Sequence, residues 1–172
     1  KIISRTIIRK RKNKNLNTQD LVSIINTIYK GKKRKIHNAT KTFQSLRIFV
    51  NKEISELIFG LINSFKILPV GGVIIVITFH SIEDRIVKFF FKNYSELSSV
   101  SRYLPKSKNN DLIFELVNKK PIYPTNSEIK VNPPSRGAKL RYAIKKRNSH
   151  NFDDFIKKFE NFLNIEKLDK EI

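Results

Sequence analysis

The chain has 172 residues and a formal net charge of +20, from 35 Lys and Arg against 15 Asp and Glu. A charge of this size and sign favours a nucleic-acid partner, because cations that neutralise phosphates release counterions; the alternative is a solvated basic surface. The absence of Cys excludes disulfides and thiolate metal sites, which fits a reducing, cytoplasmic compartment, and no apolar run is long enough to span a bilayer.

The N-terminal region has the pattern of a small helical pair. Residues 2–12 carry Ile at helical spacing among Lys and Arg, which predicts one amphipathic helix. Asn17 and Asp20 then have the spacing of a capping box, so a second helix is predicted to begin there and to end at Gly31.

A long helix is predicted next. Residues 32–35 form a basic linker, and residues 40–66 keep a helical apolar period over many turns, long enough to connect two lobes. Gly60 marks a place for a bend or for close packing.

The apolar run at residues 73–79 organises the rest of the chain. It is rich in β-branched residues and too short for a helix, which predicts a strand buried on both faces of a parallel sheet. His80 should lie at the carboxyl end of this strand, and Ser81 and Asp84 have the spacing of a capping box for a helix reaching about Tyr94. In open α/β sheets such a strand–helix turn is where ligands bind.

The remaining residues predict a loop, two strands, a helical turn and a tail. Residues 97–110 are polar and are predicted to form a mobile loop, followed by strand candidates at 112–117 and 139–145 around one helical turn at 127–131. Residues 152–165 predict an amphipathic helix with a Phe-rich stripe. We expect this tail to pack on the chain's own sheet; a partner or a membrane surface is the alternative.

Three motifs carry a family resemblance. FHSIEDRIVKFF (residues 79–90), HNATKTFQSLRIFVNKEI (37–54) and NPPSRGAKLR (132–141) resemble the FHSLEDR, HPATRTFQALRI and NPRARSAKLR segments of the bacterial MraW/RsmH family. That family methylates a cytosine of small-subunit ribosomal RNA. The resemblance covers residue 1 to about residue 147.

The resemblance implies an α/β fold: the C-terminal portion of a class I, Rossmann-like methyltransferase, with part of its inserted helical lobe. Residues 1–54 would belong to the lobe and 55–147 to the methyltransferase domain, with 148–172 as a helical tail. The implied reaction transfers a methyl group from S-adenosylmethionine to the exocyclic N4 of the cytosine, without a metal ion.

Two candidate catalytic residues lie at the end of the predicted central strand. A cytosine amino group is a poor nucleophile and needs a hydrogen-bond acceptor, which His80 or Glu83 would supply once the base is flipped out. The alternative for His80 is a structural histidine whose imidazole is hydrogen-bonded to the backbone.

The segment Asn132–Ser135 is similar to the Asn-Pro-Pro-aromatic tetrad of amino-methyltransferases, but Ser135 replaces the aromatic residue. The candidate RNA-binding residues are His37, Lys41, Arg47, Arg85, Arg136, Lys139 and Arg141.

One departure from the family is large. Its S-adenosylmethionine pocket uses a glycine-rich GGH segment after the first strand and an acidic residue after the second, and neither is present in this chain. No cofactor-binding residue is therefore assigned, and we expect negligible methyltransferase activity from this chain alone.

The expected partners are small-subunit ribosomal RNA or the small ribosomal subunit, with a complementary N-terminal half or a second copy. The alternative function is a non-enzymatic, basic RNA-binding or ribosome-associated protein.

Overall fold

The computed structural model describes residues 1–29, 36–95 and 112–168. The chain divides into two compact units, Lys1–Glu53 and Ile54–Ile172, and each is described by itself. In the described ranges, every helix is too short or too polar to cross a membrane.

Three predicted features lie outside the described residues. They are the helix stop at Gly31, the basic linker at 32–35 and the loop at 97–110.

The first unit is helical, as the apolar spacing predicted. Asn17 Oδ1 accepts a hydrogen bond from the Asp20 backbone N–H at 2.9 Å, and Asp20 Oδ2 accepts from the Asn17 N–H at 3.1 Å. This reciprocal arrangement confirms the predicted capping box. Ile24 and Ile25 of the helix that follows are fully buried. The helices are α1 (Ile2–Arg11), α2 (Thr18–Ile28) and α3 (Thr40–Asn51).

The single long helix predicted over residues 40–66 is wrong, because the structure has two. Lys52 adopts a left-handed conformation with φ 53° and ends α3, and α4 (Glu53–Ile67) begins at the next residue. The second start is stabilised by Glu166 from the tail, whose carboxylate accepts hydrogen bonds from two backbone N–H groups in the first turn of α4, at 3.1 and 2.9 Å. A carboxylate there satisfies otherwise unpaired donors and favours the helix dipole.

The second unit contains a three-stranded sheet. Its strands are β1 (Val73–Thr78), β2 (Phe114–Glu115) and β3 (Lys139–Lys145), in the order β1-β3-β2. Because β3 is antiparallel to both neighbours, β1 and β2 run in the same direction. The strand predicted at 139–145 is confirmed with the same bounds, whereas the one predicted at 112–117 has two residues.

The prediction that β1 is buried on both faces of a parallel sheet is wrong. It pairs antiparallel with β3, and its side chains alternate in burial. Ile74 and Thr78 are 7% and 2% exposed, whereas Val73, Ile75 and Ile77 are 46%, 62% and 55% exposed. The helix after β1 covers one face of the sheet, and an apolar run in the sequence does not reveal whether one face or both faces are covered.

The other face of the sheet is formed by alternate residues of β1 and β3, and we call it the open face. Its residues are Val73, Ile75, Ile77, Leu140, Tyr142 and Ile144.

The core lies between the sheet and the helices on its covered face. The predicted helix after β1 is confirmed as α5 (Ser81–Asn93), and the ring of its Phe90 lies 5.3 Å from that of Phe114 and 4.9 Å from that of Phe155. The tail therefore packs on the chain's own core, as expected. It forms two helices, α7 (Asp153–Lys158) and α8 (Glu160–Lys167), because Phe159 leaves the helical conformation between them. Before β3 lie α6 (Asn126–Val131) and a 3-10 turn (Pro133–Gly137).

Candidate nucleic-acid interface

The turn from β1 into α5 is closed by His80 and Glu83. His80 is the N-cap of α5, and its Nδ1 accepts from the Glu83 backbone N–H at 3.4 Å. Glu83 Oε2 in turn accepts from the backbone N–H groups of Phe79 and His80, at 2.9 and 3.2 Å. The capping box predicted for Ser81 and Asp84 is therefore wrong: Ser81 is already the first helical residue, and Asp84 turns away to the sheet.

The geometry separates the two catalytic candidates. His80 Nε2 lies 3.2 Å from Glu83 Oε1, so both imidazole nitrogens are turned toward Glu83, and the imidazole side chain is 10% exposed. Glu83 is 22% exposed. A carboxylate offers about four acceptor positions, so Oε1 keeps capacity for an incoming amino group. Glu83 is thus the better placed acceptor, and His80 serves first as the cap that orients it.

The next residue, Asp84, joins α5 to β3. Its Oδ1 accepts from Arg141 Nε at 2.8 Å, and its Oδ2 accepts from Lys139 Nζ at 3.0 Å. Burial alone would raise the pKa of Asp84, but the hydrogen bonds from Arg141 and Lys139 outweigh it and hold the pKa below its usual value. Lys139 and Arg141, both predicted to contact RNA, are therefore committed to this carboxylate.

The motif that precedes β3 lies against the end of β1. A Cβ atom added to Gly137 would come within 3.3 Å of the Phe79 carbonyl oxygen, so the 3-10 turn passes close to the backbone that leads into His80. Arg136 of this turn is exposed. The structure thus brings together two motifs that are more than 40 residues apart in sequence, and it places Arg136 beside the β1–α5 turn.

The other predicted RNA contacts are distributed over both units. His37, Lys41 and Arg47 belong to the first unit, where His37 Nδ1 accepts from the Ala39 N–H at 3.3 Å and Lys41 is exposed in the first turn of α3. Arg47 pairs with Glu53, with Nε 2.8 Å from Oε1. In the second unit, Arg85 is exposed on α5.

Sequence reasoning missed a set of cations along α5. Arg85, Lys88 and Lys92 are all exposed and follow i, i+3, i+7 spacing, which places them on one side of the helix. Lys88 and Lys92 line a cavity of about 210 Å³ beside β3. The spacing was a usable signal, because polar positions show a helical period as clearly as apolar ones. Lys119, Arg141 and Tyr142 also line this cavity.

The cavity beside α5 does not fit S-adenosylmethionine. Its volume of about 210 Å³ is below the range of about 300–1,000 Å³ that holds drug-sized ligands, and its four Lys and Arg side chains would repel a sulfonium cation. A larger, open hollow of about 800 Å³ is lined mainly by residues 149–153 and Ile156, in the tail.

Comparison with known proteins gives consistent matches. The family described as the MraW methylase family matches residues 1–146. A protein named ribosomal RNA small subunit methyltransferase H from Afipia carboxidovorans is 41% identical over 153 residues, covering 88% of this chain and 46% of the relative. Its namesake from Ehrlichia chaffeensis is 45% identical over 145 residues, covering 83% of this chain and 46% of the relative. The chain spans less than half the length of these curated relatives. The extent of the match shows that the chain belongs to the MraW methylase family, as its three motifs predicted.

Proposed function

We propose that this chain carries the RNA-facing part of a methyltransferase. The proposed reaction transfers a methyl group from S-adenosylmethionine to the exocyclic N4 of a cytosine in small-subunit ribosomal RNA, in the cytoplasm. The observation that carries the proposal is the family match over residues 1–146, together with relatives named as small-subunit ribosomal RNA methyltransferases.

Glu83 is the proposed acceptor for the amino group of the target base. The nitrogen lone pair of a cytosine amino group is delocalised into the ring, so a hydrogen bond to a carboxylate raises its nucleophilicity and offers a destination for the proton. Oε2 accepts from the turn backbone, which fixes the carboxylate, and the Glu83 side chain is 22% exposed, so Oε1 is the proposed acceptor for substrate. His80 is proposed as a positioning residue. Arg85 and Arg136, both exposed, are proposed to meet phosphates.

The sheet supports the proposal of a Rossmann-like fold in which polypeptide outside this chain completes the sheet. β1 and β2 run in the same direction and are connected through α5, as in a β-α-β unit. Among the described residues β1 pairs with β3 alone, and the open face is apolar. We propose that a complementary N-terminal half extends the sheet at β1, covers the open face and supplies the cofactor pocket; a second copy is the alternative cover. The division into lobe (1–54), methyltransferase part (55–147) and tail (148–172) belongs to the same proposal.

A chimera tests this function. This chain would replace the matching part of the Ehrlichia chaffeensis relative, and transfer of tritiated methyl groups to small-subunit ribosomal RNA would be measured for the chimera and for the chain alone. We expect label for the chimera and none above background for the chain alone. Turnover by the chain alone would refute the proposal that the cofactor pocket lies elsewhere.

The role of Glu83 is tested in the same chimera. Glu83→Gln keeps an acceptor for the turn backbone but removes the charge, and we expect a loss of turnover of about 10²-fold, at the lower end of general-base effects. Glu128→Gln, in the first turn of α6, is the matched control and should leave turnover unchanged. Equal activity of the two variants would exclude Glu83 as the acceptor.

The second candidate function is RNA binding without catalysis. It is favoured by the net charge of +20. Salt-sensitive RNA binding that S-adenosylmethionine does not change, combined with an inactive but folded chimera, would select it.

A further inference from the structure

The first unit carries most of the net positive charge of the chain. Residues 1–53 contain 15 Lys and Arg but two acidic residues, Asp20 and Glu53. Both carboxylates are engaged within the unit, because Lys14 Nζ lies 2.8 Å from Asp20 Oδ1 and Arg47 Nε lies 2.8 Å from Glu53 Oε1. The surface of this unit is therefore strongly cationic, and its two acidic groups are already taken up by Lys14 and Arg47.

Helix α1 presents a row of cations on the side away from its packed residues. It packs against α2, and its partly buried residues are Ile3, Thr6 and Ile7. Arg5, Arg9 and Lys12 are exposed, and Lys12, the C-cap, still has helical backbone angles. At 3.6 residues per turn these three lie within an arc of about 60° and extend over about 10 Å. We call them the α1 row.

The α1 row has no compensating carboxylate. The helix itself contains no acidic residue, and among the described residues none of the three pairs with Asp or Glu. Lys10, on the packed side, differs in that it interacts electrostatically with Asp20. Like charges at i, i+4 destabilise a helix, and Arg5 and Arg9 have this spacing. The helix dipole favours cations in the last turn of α1, but it does not favour Arg5 in the first turn.

A polyanion removes the repulsion within this row. Phosphates that pair with the three side chains would neutralise them and release counterions. Single-stranded RNA is usually bound with aromatic side chains that stack on the bases, and α1 has no aromatic residue. Double-stranded RNA is instead recognised through its shape and its phosphates, and a duplex presents about twice the phosphate density of one strand.

We infer that the α1 row binds the phosphates of a base-paired stretch of the ribosomal RNA substrate. The inference rests on the proposed function, because it specifies which part of that substrate the first unit holds. Contacts to phosphates position an RNA without reading its sequence. The α1 row would thus contribute affinity, whereas the choice of the cytosine would remain with the β1–α5 turn.

The salt dependence of binding to an RNA hairpin tests the inference. A labelled hairpin would be titrated with the full chain, and fluorescence anisotropy would be measured across a salt series. Each phosphate contact contributes about 0.9 to the slope of log affinity against log salt on a B-form double helix. We expect the Arg5→Gln, Arg9→Gln, Lys12→Gln triple variant to bind less tightly and to lose about 2–3 from the slope. Arg5→Lys, Arg9→Lys and Lys12→Arg together should retain both, which separates charge from folding.

The matched control removes three exposed cations of the second unit. Lys130→Gln, Arg147→Gln and Lys157→Gln make the same change in net charge and should leave the slope unchanged. Equal losses of slope in the two triple variants would overturn the inference, since they would show an effect of net charge alone.

Two further titrations test the kind of partner. A single-stranded oligonucleotide of the same length should bind less tightly than the hairpin and should respond less to the α1 substitutions. A basic amphipathic helix can also bind anionic lipid, but the apolar side of α1 is packed in the unit, so vesicles containing phosphatidylserine should not displace the hairpin. An equal response of the single strand, or displacement by the vesicles, would overturn the assignment to base-paired RNA.

The inference and the proposed function can fail separately. If the chimera methylates cytosine and the α1 triple variant keeps the wild-type slope, the inference is overturned and the proposed function stands. If the α1 triple variant loses the expected slope but the folded chimera transfers no methyl group, the inference of an RNA-binding surface stands and the proposed methyl transfer is wrong. A wild-type chain that does not bind the hairpin overturns the inference.

Discussion

The two faces of the β1–β3 ribbon have opposite surroundings. Toward α5, Ile74 and Ala143 are buried in a core built from the aromatic side chains of α5 and the tail. On the open face, Ile75 and Ile77 are exposed, although they are as apolar as their neighbours. A contiguous exposed apolar surface is typical of an interaction site. The comparison teaches that the core on the covered face stabilises this sheet, whereas the open face is suited to bind a partner.

The largest expected effect contrasts a side chain from each face. Phe90→Ala removes a fully buried ring from the covered face and should lower the free energy of unfolding by about 3–5 kcal/mol. Ile75→Ala on the open face should change it by no more than about 0.5 kcal/mol. Urea denaturation of both variants measures the difference. A loss of several kcal/mol for Ile75→Ala would mean that the open face is already covered in solution.

A smaller effect is expected at the buried cation of the covered face. Lys145 is 1% exposed, and its Nζ donates to the backbone oxygens of Phe65 and Leu68, at 2.7 and 2.5 Å. Lys145→Met keeps the volume but leaves these carbonyls at the end of α4 without their donor, which should cost about 1–3 kcal/mol. The control is Lys146→Met, an exposed neighbour paired with Glu115. If thermal denaturation shows the same loss of stability for both variants, the structural role of Lys145 is contradicted.

The cap between the tail and α4 should contribute somewhat less. Glu166→Ala removes the carboxylate that accepts from the first turn of α4, and loss of such a cap costs about 0.5–2 kcal/mol. Glu56→Ala, an exposed change in the same helix, should cost less than about 0.5 kcal/mol. Circular dichroism melting curves compare the two. If Glu166→Ala melts like Glu56→Ala, the break after α3 has another cause.

The smallest effect is a pH dependence carried by Asp84. Its pKa is lowered in the folded state, so the unfolded state binds a proton more readily. The resulting stabilisation is present above the ordinary Asp pKa of about 3.9 and is lost as the pH falls through the folded-state value. The stability advantage of the wild type over Asp84→Asn should therefore shrink below about pH 4. An advantage that does not change with pH would contradict the ion cluster.

Local features of the fold were predictable from the sequence, whereas features that depend on distant residues were not. The capping box at Asn17 and the bounds of β3 follow from spacings within a few residues. The new helix start after Lys52 is capped by Glu166, more than 100 residues away, and no local pattern contains that contact. At the site, His80 and Glu83 were identified together by their position after β1. Their capping geometry was missed because an imidazole nitrogen is an unusual cap, and the pairing of Lys139 and Arg141 with Asp84 requires the sheet register.

Methyl transfer by the chimera with the Ehrlichia chaffeensis relative, followed by nucleoside analysis of the labelled ribosomal RNA, tests the central claim most directly. The account predicts N4-methylcytidine as the labelled product, with turnover that falls when Glu83 is replaced by Gln. A folded chimera that binds the RNA yet labels no cytosine would contradict it.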